Sequence, residues 1–117
     1  MMNSYMNNQN YQNKQFVLDT LMKLADSSPV KKTQPYNIYD PTRNNYDISQ
    51  QELDIWINYV NSVLDILSGY INPAELSLIK LQIKGIASQN ELTCAMRALN
   101  IERELLKLAQ NILRYYQ

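Results

Sequence analysis

Histidine does not occur in this chain. Its absence removes the commonest general base, the commonest neutral metal ligand and the usual pH switch together. Cysteine occurs once, as Cys94, so no internal disulfide can form and an intracellular setting fits. Glycine occurs twice, at Gly69 and Gly85, which leaves no glycine-rich loop to cradle a phosphate. No apolar run exceeds three residues, as in Phe16-Val17-Leu18, whereas a membrane span needs about twenty. No apolar segment follows a basic start at the N-terminus, so no signal peptide is expected. Net charge is absent too: 11 basic and 11 acidic residues cancel, and nothing global draws the chain to nucleic acid or an anionic membrane.

What remains is a chain of 117 residues, 45% apolar and 19% charged, a balance that suits one globular domain rather than a disordered segment. Asn and Gln supply 24 residues, concentrated in a polar tail over 1–13 that cannot bury enough surface to order itself. A first helix is expected over about 14–26, where Val17, Leu18, Leu21, Leu24 and Ala25 follow helical spacing. Residues 27–48 read as an extended arm. They carry Pro29, Pro35 and Pro41 together with Tyr36, Ile38, Tyr39 and Tyr46. Tyrosine offers large contact area with a polar tip, so Tyr36, Ile38, Tyr39 and Tyr46 are candidate contact residues.

Helix starts are better marked beyond the arm. Ser49 and Glu52 form a capping box, with Ile48 and Leu53 placed to staple across it. Asn72, Pro73 and Glu75 mark a second start, and Ser88 with Glu91 a third. Gly69 and Gly85 suit the left-handed residue beyond a helix end. The pattern predicts an all-α fold: a small three-helix bundle over about 49–68, 73–84 and 88–116, forming a unit over 49–117. Residues 14–48, the first helix and arm, pack on it or on a neighbour. Over 79–83 the alternation Ile79, Leu81, Ile83 also fits a strand, but the start signals favour helix.

Two apolar stripes run along each long helix. On the helix over 49–68, Leu53, Trp56, Val60, Val63 and Leu67 form one; Ile55, Tyr59 and Ile66 form another beside it. On the last helix Cys94, Ala98, Ile101, Leu105, Leu108, Ile112 and Tyr115 step by four and three, a heptad seam. Ala95, Leu99, Leu106, Ala109 and Leu113 run alongside, and Arg97, Asn100, Glu104, Lys107, Asn111 and Arg114 form the opposite face. A surface helix needs one apolar face, so the excess points to a second chain. The candidate contacts are Ile55, Tyr59 and Ile66 with Ile101, Leu105, Leu108, Ile112 and Tyr115. A helix over 88–116 would be about 43 Å long and would project beyond its shorter partners.

Reactive chemistry is sparse. Cys94 has no histidine to deprotonate it and reads as a core residue. Glu102 lies at the edge of the apolar face, its stem along the seam. No paired inward carboxylates suggest a di-metal site. Neither enzyme activity, metal nor cofactor is expected. The stretch Gly85-Ile86-Ala87-Ser88 between helices loosely looks like a helix-turn-helix, but the following helix is too long and carries Glu91 near its start. The expectation is a non-enzymatic protein–protein interaction or assembly protein that self-associates. Its expected setting is cytoplasmic or a virion, as a small assembly component with protein partners and no membrane, nucleic acid being disfavoured. The alternative is a stoichiometric inhibitor or adaptor of a larger enzyme, such as an anti-defence protein. The third is a small nucleic-acid-binding regulator.

Overall fold

The computed structural model describes residues 2–30 and 47–115, with the side chains of 13–30 and 47–114. Among these residues the chain is all-α, with no strand. Helix α1 is Met2–Asp26, α2 is Gln50–Ile66, α3 is Pro73–Ala87 and α4 is Cys94–Tyr115. A 3-10 turn, Leu67–Gly69, prolongs α2. The strand alternative over 79–83 is settled as helix, because those residues fall inside α3.

The start of α2 follows its local chemistry. The Glu52 N–H donates to Ser49 Oγ at 3.0 Å, and the Ser49 N–H donates to Glu52 Oε1 at 3.1 Å, completing the capping box. Ile48 and Leu53 are both buried, as a staple requires. At α3 the Ala74 N–H donates to Asn72 Oδ1 at 2.8 Å, and Pro73 takes the first turn, where its missing N–H costs nothing.

Three boundaries differ from those the sequence predicts. Helix α1 begins at Met2 rather than near Lys14, so the polar segment expected to lack structure is helical in its backbone. Once a docked segment has met the cost of nucleation, each further residue adds a hydrogen bond, and Met and Gln are sound helix formers. Helix α3 runs through Gly85 to Ala87, and no described glycine has positive φ; neither Gly69 nor Gly85 is a left-handed stop. Helix α4 begins at Cys94 rather than at 88. Ser88 does not cap α4. It closes α3, its Oγ donating back to Lys84 O at 2.9 Å, and Thr93 takes the capping role, its Oγ1 accepting from the Met96 N–H at 3.1 Å. At 22 residues α4 is about 33 Å long, well short of the length the sequence suggested.

These caps give a graded test. Ser49→Ala and Thr93→Ala should each lower unfolding free energy by about 1 kcal/mol, since each leaves a helix-start N–H without its acceptor. Ser88→Ala, losing only a C-terminal back-bond, should stay within about 0.5 kcal/mol. Urea titrations of the three variants would measure the order; equal losses at Ser88 and Thr93 would place the α4 start wrongly. Gly85 supplies the opposite sign. It sits exposed within α3, and a Cβ there would meet nothing within 4 Å. Gly85→Ala should therefore stabilise by about 0.5–1 kcal/mol, because alanine has less backbone freedom to lose.

One apolar core spans the described helices α1, α2, α3 and α4. Val17, Leu21, Leu24 and Ala25 of α1 are as deeply buried as Leu53, Val60 and Leu64 of α2, Ile79 and Ile83 of α3, and Ala98, Ile101 and Leu105 of α4. The most extensive packing is α1 on α4, followed by α3 on α4. Of the two placements expected for the first helix, on the bundle or on a neighbour, α1 takes the first: it shares the core of the other described helices, with α4 at the centre. The α1–α2 junction is fixed by a relay in which Trp56 Nε1 donates to Ser27 Oγ at 2.9 Å and Ser27 Oγ donates to Leu24 O at 2.6 Å. Of the expected arm over 27–48, residues 31–46 lie outside the described residues. Its two ends are part of the fold: Ser28, Val30 and Ile48 are buried. Asp47 Oδ1 accepts from the Ala95 N–H at 3.1 Å, placing a carboxylate at the positive start of α4.

Candidate interaction surfaces

The twelve residues singled out as candidate contacts fall into three groups. Ile55, Tyr59 and Ile66 stand exposed along α2, at 61%, 53% and 66%. Ile101, Leu105, Leu108 and Ile112 do not face outward at all; they are 0–6% exposed and belong to the chain's own core. Tyr36, Ile38, Tyr39 and Tyr46, and the Tyr115 side chain, lie outside the described residues.

On α4 the two stripes have exchanged the roles assigned to them. The seam Ala98, Ile101, Leu105, Leu108, Ile112 is inside, and the adjoining leucines Leu99, Leu106 and Leu113 are the exposed ones, at 41%, 42% and 49%. A sequence signal for this choice existed. The inner seam is unbroken in large side chains from Ile101 to Ile112, whereas the outer stripe is interrupted by Ala95 and Ala109, which are small enough to sit buried under a neighbouring helix. Phe16, Met22, Tyr70, Leu78, Leu81 and Met96 are further exposed apolar residues absent from the sequence candidates. Phe16 of α1 and Tyr70, just beyond the 3-10 turn, meet edge to face, ring centroids 5.4 Å apart.

The exposed part of α2 borders an open depression of about 370 Å³ lined by Ser27, Pro29, Glu52, Ile55, Trp56 and Tyr59. A second hollow lies between α3 and α4. Its lining is more mixed, with Leu78, Ile79 and Leu108 beside Glu75, Glu104 and Lys107. The Lys107 ammonium pairs with Glu104 at 3.3 Å across one turn.

Two residues placed at the surface or its edge by helical phase are buried. Helical spacing puts Arg97 on the outer face of α4, yet it is only 5% exposed. Its guanidinium donates from Nε to Leu92 O at 3.2 Å, from Nη1 to Ala87 O at 3.1 Å and from Nη2 to Cys94 Sγ at 3.4 Å. It thus clamps the turn over 88–93 against the last carbonyl of α3. Phase shifts this outcome because α4 starts at Cys94, so its first turn lies against the end of α3. Glu102 is buried rather than at a boundary. Cys94 is a buried free thiol that contacts Arg97 and donates to Gln50 Oε1 at 3.4 Å.

Among the described residues no three His, Cys, Asp or Glu side chains converge as a metal site, and no helix is long and apolar enough to cross a membrane. No protein-family model matches this chain, and neither the curated proteins nor the solved structures compared with it contain a match.

Proposed function

We propose that this chain is a non-enzymatic protein–protein interaction or assembly protein that self-associates, working in a cytoplasmic or virion setting as a small assembly component. The observation that carries this is the row Leu99, Leu106, Leu113. It repeats every seven residues on the central helix of the fold, yet remains 41–49% exposed after the rest of the chain has packed. Large apolar side chains in a continuous exposed row mark contact surfaces, whereas single exposed ones are ordinary. Ile55, Tyr59 and Ile66 form a second such row. Tyr36, Ile38, Tyr39 and Tyr46 of the arm are proposed to add to the contact.

A nucleic-acid role is less well supported than the sequence alone made it. Of the four basic residues on α4, Arg97, Arg103, Lys107 and Arg114, the first is taken into the interior, and a six-residue turn separates α3 from α4. The test of self-association is the mass in solution. Light scattering at micromolar concentrations should give more than the 13.7 kDa of one chain. A mass that stays at 13.7 kDa across that range would end the self-association reading and leave the stoichiometric inhibitor in its place.

A further inference from the structure

The two exposed rows carry opposite charge. Helix α2 contains Glu52, Asp54 and Asp65 and no lysine or arginine; Asp65 is paired with Lys80 of α3, which leaves Glu52 and Asp54 as the acids beside the row. Helix α4 contains four basic residues against two acidic ones, and of these Arg97 and Glu102 are buried. Helical phase puts the remaining bases where they matter. At about 100° per residue, Arg103 lies about 40–60° from Leu99 and Leu106, while Lys107 and Arg114 each stand about 100° round from the leucine they follow; all three are on the exposed flank of the row, and Lys107 is paired with Glu104. The inner flank, Ala95, Glu102 and Ala109, is buried. On α2, Asp54 and Asn58 border the Ile55–Tyr59–Ile66 line in the same way, and Glu52 heads it. Within one chain α2 and α4 make only slight contact, so neither row covers the other.

We propose that these rows are the two halves of one contact: the acid-flanked face of α2 in one copy docks on the base-flanked leucine row of α4 in a second copy. This rests on the self-association reading above and names the surfaces that would carry it. Both rows are helical faces with apolar residues four or seven apart, spacings at which two helices interlock. The flanking charges set which faces pair: α2 against α2 opposes acid to acid, α4 against α4 opposes base to base, and only the mixed pairing joins unlike charges. A two-fold axis lets two copies make the contact twice. An anionic membrane or a nucleic acid suits the α4 flank but is repelled by the α2 flank, whereas a second copy satisfies both.

The test is an exchange of charge between the two faces. Arg103→Glu with Arg114→Glu makes the α4 flank acidic. Asp54→Lys with Asn58→Lys makes the α2 flank basic and leaves the Ser49–Glu52 cap and the Asp65–Lys80 pair intact. All four positions are exposed, and circular dichroism checks the fold of each variant. Sedimentation equilibrium should show each variant alone self-associating at least about tenfold more weakly than the native chain, because like charges now face each other. An equimolar mixture of the two should regain native affinity, since both mixed contacts are again complementary; misfolding could not be rescued in this way. Native-strength association of either variant alone, or a mixture that stays dissociated, would overturn the proposed pairing while leaving self-association itself standing. A native chain that is monomeric throughout would remove both.

Discussion

Arg97→Ala should be among the most damaging single substitutions in this chain, lowering unfolding free energy by about 2–4 kcal/mol. The guanidinium holds Leu92 O and Ala87 O, at 3.2 and 3.1 Å, in a site that is 5% exposed. Removing it leaves two carbonyls without their charged donor, and hydrogen bonds to charged groups contribute about 1.5–3 kcal/mol each before relaxation. It also empties the volume of a long side chain. Arg97→Lys should recover little, because a point ammonium cannot reproduce a planar fork spanning two carbonyls and a thiol. Chemical denaturation of the three proteins, native, Arg97→Ala and Arg97→Lys, measures this. A loss under about 0.5 kcal/mol for Arg97→Ala, the range of an ordinary surface change, would mean the residue is solvated and the turn over 88–93 is held by something else.

Leu21→Ala carries the second large effect, and it separates two architectures. Leu21 has no exposed surface, and α1 packs on α4 more extensively than any other pair of helices meets. Truncating a leucine in such a site costs about 2–5 kcal/mol, the lost transfer energy plus the cavity left behind. Were α1 an appendage to a self-sufficient bundle over 49–116, the cost would be small and removal of residues 1–47 would leave a folded core. The shared core predicts otherwise. Without α1, the part of α4 that it packs against would be open to water, and the remaining chain should lose its cooperative unfolding transition. Thermal melts of Leu21→Ala and of the 48–117 fragment, followed by circular dichroism, give both readings. A fragment that melts cooperatively near the native temperature would return α1 to the status of an appendage.

Legibility of the sequence depended on how far each signal reaches. The Ser49–Glu52 box and the Asn72-Pro73 start involve partners within three residues, and both stand where the pattern put them. The α4 start failed because Ser88 with Glu91 matches a capping box better than Thr93 with Met96 does. The choice is made by contacts from elsewhere: Arg97 reaching Ala87 O, and Asp47 reaching the Ala95 N–H from 48 positions away. A local motif cannot weigh such partners. The glycines failed for a related reason. Gly85 is tolerated inside α3 at a modest cost that the burial of Ile79 and Ile83 outweighs. The candidate surface was half legible. Ile55, Tyr59 and Ile66 could be set outward because Leu53, Trp56, Val60, Val63 and Leu67 form a fuller stripe beside them; the structure buries that stripe, Val63 only partly, and adds Leu64. On α4 both stripes were visible, but periodicity gives the angle between two stripes and not which one faces the core.

The relay from Trp56 through Ser27 to Leu24 O has a consequence for watching this protein rather than for holding it together. Trp56 is the one tryptophan in the chain, and it sits 4% exposed with its indole N–H bound to the residue just beyond α1. Any event that lifts α1 away breaks that bond and wets the ring in the same step. The tryptophan emission of the protein, excited beyond the absorption of its nine tyrosines, is thus a single-site optical gauge of whether its first helix is seated, readable without any label.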